Sequence, residues 1–153
     1  MTIMNTWKSY KFLPIAYLIL GGVWLAGCGL VQNSKDAEAV VAHHFQTIAT
    51  NGFDAAMADY APRFFEKTSK EDWTRALSRL NGRLGAYQSY TVTSWNIVRN
   101  AGTTGSGTTV TLQCDVKYSR HSATEKFTIF KGLSDSGFKI VGHHIDSSAL
   151  LLE

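Results

Sequence analysis

The chain has 153 residues, with 15 Lys/Arg against 12 Asp/Glu and 44% hydrophobic residues, enough to bury one core without staples. Lys8 and Lys11 lie in residues 1–27, which carry no acid, so the remaining chain has thirteen basic residues against twelve acidic ones. That balance gives no basic stripe and excludes a nucleic-acid partner, and two cysteines exclude both a disulfide scaffold and a cysteine-rich metal site.

Residues 1–11 are basic, and the first acid is Asp36. From Phe12 to Gly27 the chain is apolar, Phe-Leu-Pro-Ile-Ala-Tyr-Leu-Ile-Leu-Gly-Gly-Val-Trp-Leu-Ala-Gly. A positive n-region, an apolar h-region and small residues at its end are the parts of a secretory signal. The run is shorter than the roughly 20 residues of a membrane-spanning helix, and Pro14, Gly21 and Gly22 weaken it further. The four residues that close it, Leu25-Ala26-Gly27-Cys28, resemble the lipobox of bacterial lipoproteins: an aliphatic residue, two small ones, then cysteine. The resemblance implies cleavage before Cys28, a diacylglycerol thioether on its sulfur and usually a further acyl chain such as palmitate on the new amino terminus. Two or more chains are what stable anchoring needs. Gly29 rather than Asp follows the cysteine, which by the same resemblance implies the outer membrane, with the domain facing the periplasm. The expected layout is a signal peptide at 1–27, a lipidated tether at 28–34 and one domain at 35–153.

Ser34 or Asp36 is expected to open the first helix, because Ala37, Val40, Val41, His44, Phe45 and Ile48 form one apolar stripe. Asn51-Gly52 ends it. Phe53 to Ala61 reads as a short second helix stopped by Pro62. Ser69 opens a third, in a Ser-Lys-Glu-Asp capping box with Asp72 in the place of the usual Glu. Trp73, Leu77, Leu80 and Leu84 share one face of it. Beyond Ala86 the period changes to two. Strands are expected at Tyr87–Val98, Thr109–Tyr118, Ala123–Lys131 and Phe138–Ile145, with a loop at Ala101–Gly107 and a turn at Ser134–Gly137. In the second strand Val110, Leu112, Cys114, Val116 and Tyr118 face one way; Thr109, Thr111, Gln113, Asp115 and Lys117 face the other. Cys114 is thus a buried structural thiol. Short connections make an antiparallel meander, and the whole is an α+β domain with helices on one side of a curved sheet of about four strands.

That order resembles the cone-shaped fold of nuclear transport factor two, shared by ketosteroid isomerases and SnoaL-like cyclases. More closely, it looks like small secreted bacterial proteins of that fold. The similar stretches are Gly52-Phe53-Asp54-Ala55-Ala56, Trp73 with Leu77, Leu84-Gly85, Val116-Lys117-Tyr118, Glu125 with Phe127, and Phe138-Lys139-Ile140-Val141-Gly142-His143. The resemblance implies a pocket inside the cone, and one fold hosts many unrelated sites.

A small apolar ligand in that pocket would be lined by His44, Tyr87, Tyr118 and one of His143 or His144. The plainer alternative is that these are core residues whose polar tips bond to backbone. His43-His44 and His143-His144 invite a metal, yet neighbours diverge by about 100° on a helix and by a full face on a strand, so each pair supplies one ligand at most. With no His-Glu-x-x-His motif, no metal is expected. Isomerase-like chemistry needs an inner carboxylate and a donor such as tyrosine. Asp59-Tyr60 and Asp54 are the nearest candidates, although both acids are expected on solvated helix surface. No Gly-x-Ser-x-Gly elbow or phosphate loop occurs. No catalytic residue and no cofactor is therefore assigned. The polar sheet face is the other candidate, for an envelope protein or a second copy. Trp95 would anchor such an interface if it points out and join the core if it points in. The tail Ala149-Leu150-Leu151-Leu152 is expected to cover an edge or the pocket mouth.

Overall fold

The structure is a computed structural model that describes residues 24–101 and 105–150, with side chains from Val31 onward. Helix α1 spans Trp24–Asn51, so the start expected at Ser34 or Asp36 lies inside it. Ser34 does not cap: its hydroxyl donates back to Val31 O at 2.9 Å, and Gln32 Nε2 donates to Asp36 Oδ1 at 2.6 Å, one turn on. With no proline between Cys28 and Ser34, these local bonds let the helix continue. The helix stops at Gly52, whose φ of 86° needs glycine and whose N–H reaches Thr47 O at 3.1 Å.

Helix α2 is shorter than its sequence reads. It covers Phe53–Ala56, tightens to a 3-10 turn at Met57–Asp59 and then gives way to extended backbone at Tyr60. Tyr60 forms a parallel bridge to Ile140, Ala61 N–H donates to Ile140 O at 2.8 Å, and Lys139 Nζ donates to Ala58 O at 2.8 Å. Pairing with a strand edge thus replaces helix propagation well before Pro62. A second 3-10 turn follows at Pro62–Glu66. Helix α3, Lys70–Leu84, opens as expected: Ser69 Oγ accepts the N–H of Asp72 at 3.1 Å. It closes at Gly85, whose φ is 92° and where a Cβ would stand 2.2 Å from Ser119 Oγ.

Four antiparallel strands follow in the order β1-β2-β3-β4: β1 Tyr87–Asn100, β2 Gly107–Tyr118, β3 Ser122–Gly132 and β4 Lys139–Asp146. The alternation expected in β2 is observed. Val110, Leu112, Cys114 and Val116 are at most 1% exposed, while Gln113, Asp115 and Lys117 face solvent. The helices lie on the inner face, and Ala37, Val41, Phe45, Leu77, Phe127, Ile129 and Ile140 complete one core. Burial raises the Cys114 thiol to about 12, with Glu125 and Glu38 adding to the effect, so it is an inert packing group. Ala149, in a 3-10 turn at Ser148–Leu150, packs with Leu84 and Ala123 in a satellite cluster. Leu151 and Leu152 of the expected tail lie outside the described residues.

Trp95 follows neither course expected of it. Its partner in the register is Leu112, and a bulge between Val92 and Ser94 sets that phase. Trp95 therefore belongs to the helix-covered face. Yet it is 57% exposed, on the edge strand β1.

Candidate functional site

The inner face of β3 alternates Ala123, Glu125, Phe127 and Ile129, all buried. One carboxylate therefore sits in an apolar row. Glu125 is 1% exposed and accepts from His143 Nε2 at 2.8 Å. Its other oxygen accepts from the Tyr118 hydroxyl. With His143 Nε2 donating to the carboxylate, Nδ1 is left to accept the Tyr60 hydroxyl at 2.8 Å. The Tyr60 oxygen in turn lies 3.3 Å from His44 Nε2. A run of side-chain donors thus ends on one carboxylate: His44 to Tyr60, Tyr60 to His143, His143 to Glu125.

At its other end His44 Nδ1 stands 3.4 Å from Asp59 Oδ2, an ion-pair distance at which neither atom makes an aligned hydrogen bond. Asp59 Oδ1 accepts from His43 Nδ1 at 2.9 Å, and the His43 side chain is 67% exposed. The chain of polar groups therefore leads from solvent at His43 to the middle of the core. Aromatic rings wall it in. His143 stacks on Phe127 with centroids 4.1 Å apart, and His44 meets Tyr60 edge-on at 5.2 Å. Such a network is worth keeping only if nearly every member is satisfied, because a low dielectric strengthens each bond and each omission alike.

Charge states follow from burial. Desolvation is the largest influence on His143 and holds its imidazole below the ordinary 6.5, against the upward pull of Glu125. Burial raises the Tyr60 and Tyr118 hydroxyls far above their ordinary 10, and the charge of Glu125 adds to both. Both phenols are therefore donors at any working pH. For Asp59, burial alone would raise the carboxyl, but His44 and His43 beside it win and hold it below 3.8. The two downward shifts act on stability in the same sense. Below about pH 6.5 the unfolded chain takes a proton at His143 that the fold resists, and below 3.8 it takes one at Asp59. Stability is therefore full near neutrality, falls as pH drops through 6.5, and falls again in acid. Urea midpoints at pH 7.5 and pH 5 check this. A midpoint that rises at pH 5 would mean that His143 is charged in the fold, as an ion pair with Glu125.

The structure brings together four of the five residues read from sequence as pocket residues. His44, Tyr118 and His143 are members of the network, and Tyr87 stacks on Phe45 at 4.7 Å beside it. His144 is on the opposite face, exposed and paired in register with Lys126. The polar tips bond to one another rather than to backbone. Asp59 corrects an expectation: it is 8% exposed, not on solvated surface, because the tightening at Met57–Asp59 turns it under α1. Both His43 and His44 reach it, since one carboxylate can lie between two diverging side chains. Asp54 and Asp115 are exposed, as expected. Glu125 was overlooked as a site residue, although a charged residue in an alternating apolar row is a legible signal. Among the described residues no group of three His, Cys, Asp or Glu is placed to hold a metal ion. Cys28 lies in α1, in the part where side chains are outside the described residues.

The interior is tight. A cavity of about 20 Å³ lies between Phe45, Leu77, Tyr87, Tyr118, Glu125 and His143, room for about one water molecule. The open sheet face instead carries a groove of about 750 Å³, lined by Ser89, Thr91, Asp115, Lys117, Ser122, Thr124 and Asp146 among others. Comparison with protein-family models, with curated proteins and with solved structures returned no match.

Proposed function

We propose that this chain is a lipid-anchored protein of the bacterial envelope, acylated at Cys28, whose single domain docks an envelope protein on its open sheet face. The signal-like run ending in Leu25-Ala26-Gly27-Cys28 supports the anchor and an outer-membrane, periplasm-facing location. No helix among the described residues is long and apolar enough to cross a membrane. Helices followed by an antiparallel meander, with the quoted sequence stretches, support a place among the cone-shaped folds of the nuclear-transport-factor-two type.

The observation that carries the docking reading is the contrast in room: about 20 Å³ inside and about 750 Å³ on the open face. The groove offers hydroxyls with charges of both signs, Lys117 beside Asp115 and Asp146, which suits a polar protein surface. Photo-cross-linkers placed at Thr91 and Gln113 are expected to trap a discrete envelope protein in living cells, while one at exposed Glu71 on α3 does not. Equal labelling from all three positions, or none from the face, overturns this reading.

A second reading has its own observation. A buried carboxylate within bonding distance of a histidine and a tyrosine, next to a cavity, is also the arrangement of an acid–base site. In that reading Glu125 and His143 exchange a proton with a bound group, and Tyr118 and Tyr60 hold it by hydrogen bonds. The stability of Glu125 variants, treated below, bears on it.

A further inference from the structure

The sheet has two edges, and the chain treats them differently. Beside β4 runs the extended backbone at Tyr60, bridged to Ile140, with the Ala61 N–H on Ile140 O. β1 is the other edge, and among the described residues it pairs with β2 alone. A bare edge is a template for another strand, and natural sheets blunt it with lysine, proline or a short strand. β1 has none of these. It is 14 residues long, Tyr-Gln-Ser-Tyr-Thr-Val-Thr-Ser-Trp-Asn-Ile-Val-Arg-Asn, with Arg99 as its one charge. From Thr93 to Asn96 the side chains of both faces are exposed.

The bulge decides what can pair with this edge. Tyr90 and Val92 stand opposite Val116 and Cys114, while Trp95 and Ile97 stand opposite Leu112 and Val110. All four of those β2 residues are buried, so the four residues of β1 share the inner face. The bulge puts Val92 and Trp95 three positions apart, where strict alternation would put them on opposite faces. The inner set therefore reads the same in both directions about the midpoint of Thr93 and Ser94. A strand of strict alternation loses its facing on one side of such a bulge. A second copy of β1, running antiparallel, carries the same extra residue at the same place and keeps its facing on both sides. Val92 then meets Trp95, and Tyr90 meets Ile97, on the inner face. Aromatic against β-branched is a favoured cross-strand pair. On the outer face Thr91 meets Asn96 and Ser89 meets Val98. Arg99 falls at neutral Gln88, so no like charges oppose.

We propose that two copies of this chain join edge to edge through β1, in one continuous sheet with four strands from each. The two-fold axis passes between Thr93 and Ser94. Such a joint uses the same edge of both copies and closes at two. It covers the two large hydrophobic residues exposed on β1, Trp95 and Val98. It also completes the groove on the open face. Ser89 and Thr91 line the β1 side of that groove, and β1 is the last strand of the single chain. In the pair, Val98 and Asn96 of the second copy stand beside them and extend the wall. The open face itself stays free, so the inference stands apart from the docking reading.

The test uses the full chain in living cells, as two differently tagged versions made together. One carries Thr91→Cys and the other Asn96→Cys. Both positions are exposed on the outer face, and Cys114 is buried. In the joint, position 91 of one copy faces position 96 of the other with Cα atoms about 5 Å apart. Two copies with cysteine at the same position hold those residues about 16 Å apart, beyond disulfide reach. Mild oxidation is expected to give a disulfide-linked product bearing both tags, about fivefold more abundant than the two same-tag products together. Random collision in a membrane gives equal amounts, so equal amounts overturn the inference, as does the absence of a mixed-tag product. A tagged chain linked instead to a different protein also overturns it, and assigns the β1 edge to a foreign strand.

Discussion

Glu125→Ala is expected to lower the unfolding free energy by about 2–6 kcal/mol, because two buried donors lose their shared acceptor. Glu125 is 1% exposed and is the acceptor for both His143 Nε2 and the Tyr118 hydroxyl. Truncation leaves two buried donors without a partner, each costing about 1–3 kcal/mol, and opens a void beside an existing cavity. A urea titration reads the loss as a fall in midpoint at unchanged slope. Glu125→Gln keeps an acceptor for one of the two donors, and its expected loss is smaller, about 1–2 kcal/mol. The sign matters for function. If Glu125→Gln is more stable than the parent chain, the carboxylate is held at a cost, as catalytic groups often are, and the acid–base reading gains at the expense of docking. A loss of the expected size marks the network as the specifier of the core.

Phe127→Ala is the second large effect, about 3–5 kcal/mol. Phe127 is fully buried, stacks on His143 at 4.1 Å and meets Phe45 and His44 edge-on at 5.6 and 6.0 Å. It forms the apolar wall that keeps water from His143. The substitution therefore admits solvent to the imidazole as well as removing packing. His143 should titrate closer to its ordinary 6.5 in the variant, and the loss of stability between pH 7.5 and pH 5 should shrink. Glu125 and Phe127 both contact His143, so their effects should not add. A double mutant that loses the full sum would mean that the two act independently.

Much of this molecule was legible residue by residue. Ser69 announces the start of α3, Gly52 and Gly85 mark two helix ends, and the strict alternation from Thr109 to Tyr118 sets which face of β2 is buried. These features depend on side chains a few residues apart, and local periodicity reports them. The placing of His44 in the interior was legible for the same reason, since it stands on the apolar stripe of α1. Glu125 was open to the same logic through its alternation with Phe127 and Ile129.

Other features were settled by contacts far apart along the chain. Helix α2 stops at Ala56 because Tyr60 and Ala61 pair with Ile140, and no residue near Ala56 announces a distant strand edge. The same pairing turns Asp59 and Tyr60 inward, and Tyr60 then meets His143, 83 positions away. Trp95 owes its face to a one-residue bulge, and it is exposed on an edge strand. Sequence by itself determined the elements, their order and the inner face of the sheet, because hydrophobic period is a local property. Only the tertiary structure decided which polar groups share one buried network, because a hydrogen bond selects its partner by position in space.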